Sequence, residues 1–143
     1  MPTWTQNELH VFGERSDIEK FFTYMGETMD FEKVITPPEN MFRDDLSFED
    51  EARCKANGIP NWRDWQIENW GTKWNACHCE KAQIEDFDQS TKSYLTYKFM
   101  TAWATPEPII RKLIKQYPEL EFSGGWVDEG YEGCGNFQQF WEK

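Results

Sequence analysis

The sequence predicts an α+β fold in which one antiparallel sheet is covered on one face by two helices. Three observations lead there. Apolar and polar residues alternate over Asn7-Glu8-Leu9-His10-Val11-Phe12 and over Leu95, Tyr97, Phe99, Thr101 and Trp103, the period of half-buried strands. Two other segments carry apolar residues at helical spacing: Ile18, Phe21, Phe22 and Met25, then Ile109, Ile110, Leu113, Ile114 and Tyr117. Taken with a hairpin between them and a last strand at Leu120 and Phe122, the order is strand, helix, strand, strand, helix, strand. That is the βαββαβ order of a ferredoxin-like sandwich, one domain over residues 1–143.

Each element has its own start or stop signal. Gly13 closes the first strand, Ser16-Asp17-Ile18-Glu19 reads as a capping box for the first helix, and Gly26 ends it. Ala82, Ile84 and Asp86 alternate with their neighbours from Lys81 to Phe87, and Asp88-Gln89-Ser90-Thr91-Lys92 turns the chain into the next strand. Thr105 is placed to cap the second helix, with Pro106 at its first position and Pro118 beyond its end. Gly124-Gly125 suggests a bulge or bend in the last strand. Residues of about 27–76 read as a long insertion after the first helix. Within it an acidic helix opens at Ser47 and closes at Asn57-Gly58, and a short helix runs from Asn61 to Gly71.

Composition narrows the function classes. The chain has 143 residues and a net charge of −11, a polyanion whose field repels nucleic acid and anionic lipid and favours a basic protein surface. The densest basic cluster, Arg111-Lys112 with Lys115, falls on the second helix and not on the open sheet face where a nucleic-acid binder of this fold would need it. No run approaches the roughly 20 apolar residues of a membrane span, and the N-terminus has no signal-peptide pattern. A soluble protein of the cytoplasm is expected, with no membrane partner and no direct nucleic-acid binding.

Catalytic and metal signatures are absent. The cysteines Cys54, Cys77, Cys79 and Cys134 read as reduced thiols. Cys77-His78-Cys79 is too tightly spaced for the usual paired zinc ligands, so no metal and no cofactor is expected. His10 reads as an exposed strand residue. Pro2 would be a general base only as an exposed N-terminal proline, and the residues after it lack the small apolar strand that such enzymes begin with.

Two surfaces remain as candidates. Four of the eight tryptophans, Trp62, Trp65, Trp70 and Trp74, surround one glycine and one lysine. From them Trp70, Lys73, Trp74 and Asn75, joined by Trp103, form either a shallow aromatic pocket with the lysine at its rim or a minor core. Asp44, Asp45, Glu49, Asp50 and Glu51 form an acidic face suited to a basic partner or simply to solvent.

The blocks Met1-Pro2-Thr3-Trp4-Thr5-Gln6-Asn7-Glu8-Leu9, Asn69-Trp70-Gly71-Thr72-Lys73-Trp74-Asn75, Phe99-Met100-Thr101-Ala102-Trp103-Ala104-Thr105-Pro106 and Tyr117-Pro118-Glu119-Leu120 together resemble the YubB ferredoxin-like family. The resemblance spans nearly the whole chain. It implies the ferredoxin-like fold and an origin in phages and plasmids, and it implies no chemistry. The leading expectation is a small acidic, non-enzymatic protein that binds a host protein with a basic surface in the bacterial cytoplasm, with anti-defence inhibition of a nucleic-acid enzyme as its concrete form. The alternative is a small-ligand or nucleotide-binding domain using the Trp/Lys pocket, and the third is an enzyme of unrecognised type.

Overall fold

The computed structural model describes residues 3–87, 89–130 and 133–140. Pro2 and Asp88, singled out by sequence, lie outside the described residues. Strand β1 (Trp4–Glu14) is followed by α1 (Arg15–Met25), a 3-10 turn (Phe31–Lys33), α2 (Phe48–Asn57), α3 (Trp62–Trp70), β2 (Glu85–Asp86), β3 (Lys92–Ala102), α4 (Glu107–Gln116), β4 (Glu121–Asp128), β5 (Cys134–Asn136) and a 3-10 turn (Phe137–Phe140). The strands form one antiparallel sheet in the order β2-β3-β1-β4-β5.

Alternation puts Leu9 and Val11 of β1, Leu95, Tyr97 and Phe99 of β3 and Phe122 of β4 on one face. These side chains share a buried cluster with Ile18, Phe21 and Met25 of α1 and Ile109, Ile110 and Leu113 of α4, so both helices cover the same side. Phe21 sits at the hub, edge-on to Tyr97, Tyr117 and Phe122. Such edge-to-face pairs match the positive ring edge to the negative ring face.

Several local expectations change. No capping box opens α1: β1 stays paired with β3 as far as Glu14↔Lys92, which puts Ser16 inside the helix. The leading amide, Arg15 N–H, donates instead to Thr91 O at 2.9 Å. Thr105 does not cap α4, because its hydroxyl donates to Asn7 Oδ1 at 2.8 Å and Pro106 occupies the cap position.

The strand expected from Lys81 to Phe87 shrinks to Glu85–Asp86. Cys77 exchanges backbone hydrogen bonds with Met100 and Glu80 donates to Lys98 O, but Ala82 N–H turns away to Glu27 O at 2.7 Å. The turn that follows is described on either side of Asp88, with Ser90 N–H donating to Phe87 O and Phe87 N–H to Lys92 O.

Gly124-Gly125 makes no bulge, since the register with β1 runs unbroken from Thr5↔Asp128 to Phe12↔Glu121. The fifth strand, β5, was not expected from sequence. It leads to the turn on which Phe137 and Phe140 stack against Trp126, at 5.7 and 5.4 Å.

The two helices between α1 and β2 keep their sequence signals. Ser47 and Asp50 form a reciprocal capping box on α2, and Gly58 closes it in the left-handed region. Asn61 caps α3 by accepting from Asp64 N–H, and Gly71 closes it at φ 79°. Among the described residues no helix is long and apolar enough to cross a membrane.

Candidate functional site

Gly71 decides how the tryptophan segment divides. Its left-handed conformation stops α3, and a Cβ there would meet Pro108 Cδ at 2.6 Å, so only glycine lets the helix end against α4. The residue before it points inward. Trp70 is 1% exposed, packs edge-on against Phe31 and Trp65, and donates its indole N–H to Ile35 O. It is therefore a core residue and not part of a pocket.

The residues after Gly71 are held against the end of β3. Thr72 donates its hydroxyl to Ala102 O at 2.6 Å, and Gln66 donates to Lys73 O. This sets the Lys73 ammonium 4.8 Å from the centroid of Trp103 and 5.3 Å from that of Trp74, within cation–π range of both. Trp74 in turn lies 6.0 Å from Trp4, which meets His78 edge-on at 5.2 Å. Asn75 belongs elsewhere. Its Oδ1 accepts from Phe31 N–H and Ala76 N–H while its Nδ2 donates to Asp30 Oδ1, so it ties the 3-10 turn to the strand edge. Of the five pocket residues expected from sequence, the structure brings together Lys73, Trp74 and Trp103.

Trp103 does not continue the face of Leu95 to Thr101. The strand ends at Ala102, and Trp103 is 54% exposed with φ +71°, a conformation that a bulky side chain rarely adopts. A ring of hydrogen bonds imposes it. Thr105 donates to Asn7, Asn7 donates to Thr101 at 2.9 Å, Thr101 donates to Ala104 O at 2.6 Å, and Trp103 N–H donates to Thr3 O at 2.8 Å. Asn7 and Thr101 are buried at 3% and 0%. Sequence reasoning missed this clamp and the part played by Trp4; the buried-phase positions of Asn7 and Thr101 in their strands were the available signal.

The thiols of Cys77 and Cys79 are both partly buried. Burial pushes both thiols above the ordinary cysteine value, with the Cys77 sulfur adding to the rise at Cys79, and it is the thiolate that attacks or binds metal. Among the described residues no group of three or more His, Cys, Asp or Glu side chains is placed to hold a metal ion. On the open sheet face His10 lies between Glu8 and Thr96, and Lys98 reaches Glu8 at 3.8 Å.

The acidic segment is anchored by tryptophan too. Phe42 N–H donates to Pro60 O and Trp62 N–H donates to Phe42 O, and the Trp62 indole donates to Asp44 O at 2.9 Å. Two of the five expected carboxylates are already engaged, Asp50 with Ser47 and Arg53, Glu51 with Arg63 at 2.7 Å. Asp44, Asp45 and Glu49 are exposed and have no ion-pair partner among the described residues. In the same segment Phe48 is 93% exposed at the first turn of α2.

Residues 69–139 match the family of the ferredoxin-like domain in Api92-like protein. Over that stretch, just under half of its length, the chain is similar to a ferredoxin-like domain. The matched stretch takes in β2 to β5 and the Lys73, Trp74 and Trp103 cluster, whereas Asp44 to Glu51 precedes it. No curated protein and no solved structure matches the chain significantly.

Proposed function

We propose that this chain is a non-catalytic binding protein whose acidic segment docks on a basic face of a protein partner. The observation that carries the reading is Phe48, a large apolar side chain standing almost wholly in solvent at the first turn of α2, in the same segment as the exposed carboxylates of Asp44, Asp45 and Glu49. Full burial of a phenylalanine contributes about 1.5–3 kcal/mol, and it forms here the apolar centre that a charged rim surrounds in an interface. The carboxylates steer a basic surface toward it, and steering of this kind raises association rates by about 10-fold or more. The net charge of −11 extends the same field over the molecule.

In this reading the βαββαβ sandwich is the frame and residues 27–76 are an insertion that presents the docking segment. The resemblance to the YubB ferredoxin-like family supports an origin in phages or plasmids. The partner is then a host protein of the bacterial cytoplasm, and an enzyme that handles nucleic acid has the required basic face. A negatively charged module occupying that face acts as an anti-defence inhibitor.

Capture from a bacterial lysate at low salt tests this. The wild-type chain should retain a basic partner that the Asp44→Lys, Asp45→Lys, Glu49→Lys variant loses. Equal retention by both chains, or no partner for either, would contradict the proposal.

A further inference from the structure

Trp103 combines three properties that packing alone does not account for. It is more than half exposed, it is held in the left-handed region by the clamp of Asn7, Thr101 and Thr105, and its ring faces the Lys73 ammonium. A bulky residue at positive φ is strained and persists only where the surroundings impose it. Exposed indoles contribute little to a core, so the strain brings no compensating burial. What it does produce is a rigid, solvent-facing indole beside a cation.

The chemistry of these two groups selects a ligand. An indole face takes a planar ring by stacking, a contact worth more than most single polar contacts and tolerant of ring identity. Lys73 has no carboxylate within ion-pair distance among the described residues and lies over Trp74 and Trp103, leaving its ammonium donors available to an anion. A cationic ligand is disfavoured because Lys73 already fills the cation position between the rings. A long polyanion is disfavoured by the net charge of −11.

We infer that Lys73, Trp74 and Trp103 form a binding site for a small planar anion, the chemistry of a free mononucleotide, with Trp103 stacking on the ring and Lys73 holding the phosphate. The site lies within the ferredoxin-like match and is separate from the acidic docking segment, so it stands or falls independently of it.

Isothermal titration with adenosine monophosphate tests the site, with adenosine, inorganic phosphate and a short single-stranded oligonucleotide as the other arms. Saturable binding of the monophosphate is expected, with adenosine and phosphate each weaker by about tenfold or more, the size of one charge-assisted hydrogen bond or one stacked ring. Trp103→Gly keeps a residue that adopts φ +71° without strain, so it should melt at the same or a higher temperature while losing the monophosphate. Lys73→Met should keep the contact with the rings and bind the monophosphate only as well as adenosine. Absence of saturable binding to the wild-type chain, or undiminished binding to a folded Trp103→Gly, would overturn the inference. Tighter binding of the oligonucleotide than of the monophosphate would overturn it as well, because the site would then belong to a strand and not to a free nucleotide.

Discussion

The indole N–H of Trp70 donates to the carbonyl of Ile35 at 2.9 Å, joining the end of α3 to the chain that follows the first 3-10 turn. With its ring edge-on to Phe31 and Trp65, Trp70 fastens the helical segment to the sandwich. Trp70→Ala should cost about 3–5 kcal/mol, the range for large aromatic residues cut back to alanine in a core. Trp74→Ala, at a half-buried ring, should cost clearly less. Urea denaturation of both variants checks this ranking.

Gly124 lies opposite Leu9 in the β1–β4 pair at φ +104°, and a Cβ there would run into the Glu8 carbonyl oxygen. The Glu8 carbonyl is backbone of the central strand and cannot swing aside as a side chain could, and the His10 ring stands 3.1 Å from that Cβ position. Gly124→Ala should therefore destabilise by at least about 3 kcal/mol, combining left-handed strain with displacement of the central strand. Thermal melting reads this directly.

The elements that sequence located best are those whose ends carry their own chemistry. Ser47 with Asp50, Asn61, Gly58 and Gly71 set α2 and α3 through capping groups within a few residues. The start of α1 was misplaced because pairing with β3, distant in sequence, extends β1 over Gly13 and Glu14 and overrides the local signal at Ser16. The candidate site was half legible for a similar reason. Composition brought Lys73, Trp74 and Trp103 into view, but whether an indole faces core or solvent depends on where Gly71 turns the chain, and Trp70 and Trp74 fall on either side of that turn. The 3-10 turn of Phe137 and Phe140 offered only two aromatics three residues apart, too short a pattern to distinguish from a tail.

Tyr97 donates its hydroxyl to Gly26 O at 2.9 Å from a buried position, and burial pushes its pKa upward. A folded tyrosine that keeps its proton longer than the unfolded one contributes fully below about pH 10 and loses that contribution as pH rises further. Tyr97→Phe should be less stable near neutrality by about 0.5–1.5 kcal/mol, the value of one hydrogen bond. Its stability should fall less steeply above pH 10. Tyr94 and Tyr117 shift in the same direction, so part of the alkaline slope should remain. Melting temperatures across that range separate the two behaviours.

Asn61 and Asp64 bond reciprocally at the start of α3, and this contact, followed by Arg63, lowers the Asp64 carboxyl. A depressed carboxyl contributes above the unfolded value of about 3.9 and loses its contribution as pH falls through the folded value. Asn61→Ala should cost about 0.5–2 kcal/mol at neutral pH as a lost helix cap. It should also show a smaller further loss below about pH 4 than the wild-type chain, measurable by denaturation at neutral and acid pH.

The most direct test of the acidic docking surface is the association rate of the captured partner with the wild-type chain and with the Asp44→Lys, Asp45→Lys, Glu49→Lys variant, at low and high salt. Exposed carboxylates without ion-pair partners contribute little to folding, so both chains should melt alike. The wild-type chain should associate faster by about 10-fold or more at low salt, with the difference collapsing as screening shortens the reach of the charges. Equal association rates at low salt would contradict a docking role for this surface.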